Sequence, residues 1–501
     1  MNHPRMAKAS SVLENISPRT MTFLVLFASF LALMPAWIHY DIIARDGAHL
    51  YVPVARLFYE GRFHDAIFSI YQPLFPIPLY ELLIALVARV SGFSLELSGR
   101  LISAAGFIIG SLGIYKISFA MAKSRTVGIL SVLLYLSNKK LLDISVDCLK
   151  ESLLVCLVVW GNYLVVKSFS SQVRALYLIS GMGILFLAGF MIRSTSLIFL
   201  GAWLLVWIFH SGRGLLPKLL LIFVIPLSIA IWLGYAHPEV PIFRRSLSVH
   251  IYFNLAHAYN NTLEIANAGL LIVRQFLSKS YYFVGFMGFM GMLYYRKDKY
   301  AQFVFIMFVS FFIALLGTGW NYTDSNSDRY LMAPVVCFIP LSGYAIATFA
   351  NRPNFFLKWM ALLTIIICPL LWADTIFQFP DPDKLARKEA GQWTLSRVGP
   401  HNDILTNRER IAFYAQGNDL ELIEEKAFDH MRKIVAVRYP AGSYVRLYEI
   451  TDLKTLKKVI AIDTQMEEGL IWKRYLDTLD IKPDRSFRSI YVYLPKFTMT
   501  R

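Results

Sequence analysis

Directly after its first apolar run, between Tyr40 and Arg100, the chain crowds acids, bases and aromatics into one polar stretch. Asp41 and Asp46 open it, and Asp46, His49, Tyr51 and Arg56 fall together in DGAHLYVPVAR. A second acid pair, Asp143 and Asp147, ends a later apolar run. A carboxylate at a membrane surface can act as a general base on an acceptor hydroxyl or amine, or can hold a metal or a sugar hydroxyl. Acids also mark solvated loop ends, and for any single one both readings stand. The company of Asp46 favours chemistry there.

Arginine supplies the second signal. Arg100 precedes an apolar run, Arg193 interrupts another (GFMIRSTSLIFL), and Arg329, followed by Tyr330, opens a third (DRYLMAPVV). An arginine near the hydrocarbon boundary is costly and tends to be kept for a partner. Its planar fork matches a phosphate. Snorkelling to lipid headgroups is the alternative, and it fits Arg100 better than Arg193. No Walker loop, GxSxG, HExxH or CxxC occurs. The one cofactor these residues could accommodate is a divalent cation shared by Asp41, Asp46, Asp143 and Asp147.

The elements that must position these groups are membrane helices. At 56% hydrophobic and 17% charged residues, with a mean hydropathy of +0.49, a chain of 501 residues is too apolar to be dissolved in water. Runs near the ~20 residues a spanning helix needs fall at 21–38, 101–121, 126–141, 149–166, 175–191, 195–210, 216–235, 281–295, 301–318, 330–350 and 358–373. That predicts about eleven transmembrane helices. The first is read as a retained helix, since no small-x-small cleavage site precedes Asp41.

The formal charge of +16 is carried largely by short turns, so it marks cytoplasmic loops and gives no sign of a nucleic-acid partner. Lys123 with Arg125, Lys167 with Arg174, Arg213 with Lys218, Arg296 with Lys299, and Arg352 with Lys358 all fall on one side when the N-terminus is inside. The same register puts 40–100, 142–148, 237–280, 319–329 and the tail outside. Leu74–Val90 is nearly apolar enough to span, but Pro76, Pro78, Glu81 and Arg89 suit an interfacial or re-entrant helix in the outer loop. Residues 1–374 thus read as a membrane domain. Residues 375–501 read as a small extracytoplasmic α/β domain, with β-rich runs at 433–438, 444–450 and 489–494 and amphipathic stretches at 383–397 and 468–479. The four cysteines, Cys148, Cys156, Cys337 and Cys368, lie in or beside apolar runs and have no metal-ligand spacing.

With these residues in view, the chain resembles the GT-C membrane glycosyltransferases. The resemblance is to the family 39-like branch that includes protein O-mannosyltransferases and the aminoarabinose transferase of lipid A. The matching stretches are DGAHLY (Asp46–Tyr51), PIPLYELL (Pro76–Leu83), GFSLELSGR (Gly92–Arg100), the turn acid Asp147, Arg193, and DRYLMAPVVCFIPLSGY (Asp328–Tyr344). The tail adds KEAGQW and IAFYAQG. The resemblance implies a bacterial inner-membrane transferase that takes a sugar from a polyprenyl-phosphate donor and passes it, with inversion, to a lipid, glycan or protein acceptor outside. It gives Asp46 the role of catalytic base. Asp41, His49, Tyr51, Arg100, Asp147, Arg193, Arg329 and Tyr330 are then the expected substrate contacts. The chain departs from the family in having Asp46-Gly47 where an Asp-Glu pair is frequent, and in lacking a lysine beside its Pro-rich segment. A lipid-linked sugar flippase or other polytopic transporter is the competing class. It would favour midplane charges and internal repeats, whereas the charges here gather at one mouth.

Overall fold

A computed structural model describes residues 15–38, 43, 47–67, 78–170, 173–192, 196–210, 273–274, 276–278, 280, 282–318, 331–350, 355–376, 382–399, 403–406, 409–416, 418–423, 434–437, 446–449, 459–463, 473 and 483–493. The first helix, α1 (Pro18–Ile38), buries Met21, Val25, Ser29, Ala32 and Leu33 along one stripe. It leaves Phe23, Phe27, Phe30 and Met34 exposed on the rest. A helix that is apolar all round but packed on only one side is dressed for lipid. On the packed side, Ser29 Oγ meets Ser111 Oγ at 2.6 Å, a small-residue contact that brings two helix backbones close.

The polar stretch after α1 folds as a π-helical turn, Gly47–Tyr51, and three helices: α2 (Val52–Tyr59), α3 (Phe63–Ile67) and α4 (Leu79–Ser91). At ~1.5 Å per residue α4 is ~20 Å long, short of the ~30 Å hydrocarbon thickness. It packs instead on α2 and the next helix, as an interfacial or re-entrant element would. Gly92 ends it in the left-handed conformation, φ 73°, which only glycine adopts without strain.

Next come α5 (Leu95–Ala122), capped by Ser94 Oγ, α6 (Arg125–Leu136), α7 (Lys139–Val146) and α8 (Lys150–Ser168). The expected span at 126–141 is in fact broken: Asn138 Oδ1 accepts from the Leu141 N–H at 3.1 Å and starts α7 afresh. Then follow α9 (Arg174–Leu187), continued by a π-helical turn Ala188–Ile192, α10 (Leu197–His210), α11 (Phe283–Tyr294), α12 (Lys299–Thr318), α13 (Met332–Ala350) and α14 (Phe355–Ile376). The predicted run at 216–235 lies outside the described residues. Among the described residues, α1, α5, α8 and α13 are long and apolar enough to cross a membrane. Shorter apolar helices accompany them.

The turns sort to two ends of this bundle. At one end the Arg125 guanidinium donates to the Ile16 carbonyl, Tyr295 Oη donates to Met121 O at 3.2 Å, and Lys299 Nζ sits 4.0 Å over the Phe169 ring. These are the basic turns that the charge pattern grouped together. At the other end the first loop, the turn after α7 and the C-terminal part of the chain converge.

That C-terminal part holds α15 (Pro382–Val398), β1 (Asp403–Thr406), α16 (Glu409–Tyr414), β2 (Asn418–Ile423), β3 (Ile434–Val437), β4 (Arg446–Glu449), β5 (Val459–Asp463), β6 (Arg485–Phe487) and β7 (Ile490–Tyr493). The strands form one sheet in the order β4-β3-β2-β1-β5-β7-β6. β1 runs parallel to β2 and β5, and the remaining pairs are antiparallel. Helix α16 is the crossover between parallel β1 and β2. Its Ile411 and Ala415 join a small core with Ala386, Ala390, Ile490 and Val492, while Phe413 and Tyr414 pack into the core of the helical bundle.

Candidate active site

The convergence is built from the turn at Asp147 outward. Asp147 ends α7 with extended backbone, φ −100° and ψ 166°, and its Oδ1 accepts from the Cys148 N–H at 2.7 Å. Arg100, on the first turns of α5, donates from Nε to the Val146 carbonyl at 2.9 Å. Its guanidinium lies 4.2 Å over the Trp37 ring at the end of α1. Arg100 therefore fastens the Asp147 turn to two helices. Gly99 lies so close to Cys148 Sγ that a Cβ there would collide with the sulfur.

The first loop abuts the same turn. A Cβ on Gly47 would lie 2.9 Å from the Cys148 carbonyl oxygen and 2.8 Å from Ile43 Cγ1, so only glycine fits without displacement. The frequent glutamate of the resemblance would not fit at this position. Gly47 follows Asp46 and Cys148 follows Asp147, so the fold brings these two sequence-predicted regions into contact. Tyr51 is buried. Its ring meets Tyr80 edge-on at 5.5 Å and carries Lys150 Nζ 5.3 Å above it. Tyr80 Oη donates to Gly99 O at 3.1 Å and pairs with Ser103 Oγ at 3.0 Å. It also reaches Cys148 Sγ at 3.6 Å. Burial pushes the Cys148 thiol well above its ordinary range, which keeps it a protonated packing group.

Of the other expected contacts, Asp41, Asp46, Arg193, Arg329 and Tyr330 lie outside the described residues. His49 lies in the π-helical turn, with its side chain outside the description, and Arg56 is exposed on α2. Among the described residues no group of three or more His, Cys, Asp or Glu could hold a metal ion.

Four groups that sequence reasoning passed over complete this end. An open cleft of about 380 Å³ is lined by Trp37, Ser94, Glu96, Leu97, Arg100 and Lys388 of α15. Tyr414 Oη accepts from the Ile43 N–H at 3.1 Å and lies 3.3 Å from Glu96 Oε1 as donor. Lys150 carried one legible sign, its position three residues after Asp147. Trp37, Lys388 and Tyr414 had none, because their partners lie far away in the sequence. The cleft offers one aromatic ring (Trp37), two cations (Arg100 and Lys388) and one carboxylate (Glu96) at its rim. Such a set can hold a sugar and an anionic group beside a base.

Among solved structures the fold is similar to ArnT from Cupriavidus metallidurans bound to undecaprenyl phosphate. The TM-score is 0.62 at 10% identity, covering 95% of this chain and 98% of that one. The apo state of the same protein gives 0.61 at 11% identity over the same shares. An oligosaccharyltransferase from Archaeoglobus fulgidus in complex with Zn and sulfate gives 0.51 at 11% identity, over 79% of this chain and 62% of that chain. No family model and no curated protein sequence matches the chain. The fold is that of the GT-C membrane glycosyltransferases.

Proposed function

We propose that this chain of GT-C fold is an integral membrane glycosyltransferase that moves a sugar from a polyprenyl-phosphate donor to an acceptor at the extracytoplasmic face. The observation that carries the reading is the contact of Gly47 with the Cys148 carbonyl, which joins the loop bearing Asp46 to the turn bearing Asp147. Support comes also from the likeness in fold to ArnT, a lipid A aminoarabinose transferase, solved with undecaprenyl phosphate bound.

In the proposed reaction Asp46 takes the proton of the acceptor nucleophile as that atom attacks the anomeric carbon. The bond to the phosphate oxygen breaks on the opposite face, so the configuration inverts. The departing polyprenyl phosphate needs cations, and Arg193, Arg329 and Lys150 are the residues assigned to it. Tyr51, Asp147, Arg100 and His49, with Asp41 and Tyr330, line the substrate side. The lipid tail lies beside α4 between helices. Residues 1–374 form the membrane domain, and residues 375–501 form the periplasmic domain that covers the cleft and meets the acceptor. The basic turns face the cytoplasm of a bacterial inner membrane, as the positive-inside rule requires.

The test is transfer by the purified, detergent-solubilised protein supplied with radiolabelled polyprenyl-phosphate sugars, wild type beside Asp46→Asn. Release of free polyprenyl phosphate by wild type and its loss in the variant are expected. Donor that stays intact but crosses vesicle bilayers would replace this reading with a flippase.

A further inference from the structure

We propose that Tyr414, in the C-terminal part of the chain, is a positioning residue for the first-loop carboxylate, so that this part completes the active site. The inference rests on the reading that Asp46 is the base, and extends it to a residue on a different part of the fold.

The geometry is specific. Ile43 is fully buried, and its backbone N–H points at Tyr414 Oη at 3.1 Å. The same hydroxyl lies 3.3 Å from Glu96 Oε1, close to the start of α5. One phenol therefore accepts from the loop and donates to the bundle. Lys388 Nζ stands 5.4 Å from the Tyr414 ring and covers it. Burial first, and the Glu96 carboxylate second, push the phenol well above its ordinary range, so it remains a donor at physiological pH.

The position along the chain gives this contact its meaning. Residues 44, 45 and 46 connect two anchored points, Ile43 under Tyr414 and Gly47 against the Cys148 carbonyl. Three residues reach only ~3.3–3.6 Å each, so the two anchored points set the span that this segment must bridge. A buried backbone N–H that loses its partner costs free energy, so without the hydroxyl the loop will shift to satisfy it. Misplacement by ~1 Å can cost about a hundredfold in rate.

Tyr414→Phe removes the oxygen and keeps the ring, so the packing against the bundle core survives. Two readouts are taken on wild type, Tyr414→Phe and Glu96→Gln. The first is amide hydrogen exchange in peptides containing Ile43 and, separately, residues 283–294 as a distant control. The second is transfer from the labelled donor, with kcat and KM resolved. The expected result for Tyr414→Phe is faster exchange at Ile43 alone, a fall in kcat of about tenfold to a hundredfold, and an unchanged donor KM. Glu96→Gln, which keeps an acceptor for the phenol, should fall much less. Unchanged exchange at Ile43 would overturn the proposal whatever the activity. Faster exchange with unaltered kcat would overturn the positioning role. Absence of transfer in wild type itself would count against the donor reading, and the Ile43 exchange would then decide the clamp alone.

Discussion

At one end of the bundle Lys299 lies 4.0 Å over Phe169 and Lys167 lies 4.3 Å over Tyr177, while Arg125 donates to the Ile16 carbonyl. At the other end Arg100 lies 4.2 Å over Trp37 and Lys150 lies 5.3 Å over Tyr51. Cation and ring meet in both places, but their surroundings differ. At the basic end Arg125 ties its turn to the Ile16 carbonyl, 109 positions away. At the opposite end the Arg100–Trp37 contact stands with Glu96 at the rim of an open cleft. The difference teaches that cation–π contacts mark no function by themselves. The open cleft distinguishes a site from an anchor.

The sharpest way to break this comparison is to remove one acid from each end. Asp46→Asn is expected to lower transfer by about 10²- to 10⁴-fold, the usual contribution of a general base, with the melting temperature unchanged. Asp298→Asn, in the turn before α12, is expected to leave transfer intact. Next in size is Gly99→Ala. Its Cβ meets Cys148 Sγ, and overpacking of this kind costs about 1–3 kcal/mol. Gly183→Ala has open space within 4 Å and should be neutral or slightly stabilising. Thermal unfolding of both variants, with Cys148→Ala added to the first as rescue, tests whether the clash is local.

Lys150→Ala should raise the donor KM by roughly tenfold, the worth of one charge-assisted hydrogen bond. Lys299→Ala at the other end should leave the KM alone, and equal effects on both would erase the distinction between the two ends. The smallest effect is on pH dependence, and its sign differs between the ends. Burial raises the Asp298 pKa, although the Tyr300 and Ala301 N–H groups draw it back. The folded state therefore holds that proton more tightly. Its contribution is full below about pH 4 and is lost as pH rises through the raised value. Asp65, on the first-loop side, is shifted the other way by Arg62, which lies 2.8 Å away. Its contribution is present above about pH 4 and is lost as pH falls through the lowered value. Melting temperatures between pH 3 and 7 should flatten at the upper end in Asp298→Asn and at the lower end in Asp65→Asn.

The helices were legible because an apolar run of spanning length has few other fates. The α6–α7 break was not, because Ser137 and Asn138 sit inside a run whose average is still apolar, and only the Asn138 cap reveals the restart. In the tail, the β-rich runs coincide with β3, β4 and β7. β1 is four residues long and β6 three, too short for alternation to register. Of the expected contacts, Tyr51, Arg100 and Asp147 were picked out by type and neighbourhood, and the fold brings them to one end. Arg100, read as a phosphate ligand or a snorkelling side chain, also donates from Nε to the Val146 carbonyl, a contact that depends on Val146 being near. Tyr414 and Lys388 stayed hidden for the same reason: nothing local to IAFYAQG or KEAGQW says that either will meet the first loop.

The bond between Ile43 and Tyr414 joins residues 371 positions apart, and this sets a clock on biosynthesis. At ~5–20 residues per second the ribosome needs roughly 20–75 s to deliver Tyr414 after Ile43 has emerged. Until then the Ile43 N–H lacks the Tyr414 hydroxyl. The contact between the first loop and the C-terminal part of the chain is therefore among the last to form as the protein is made.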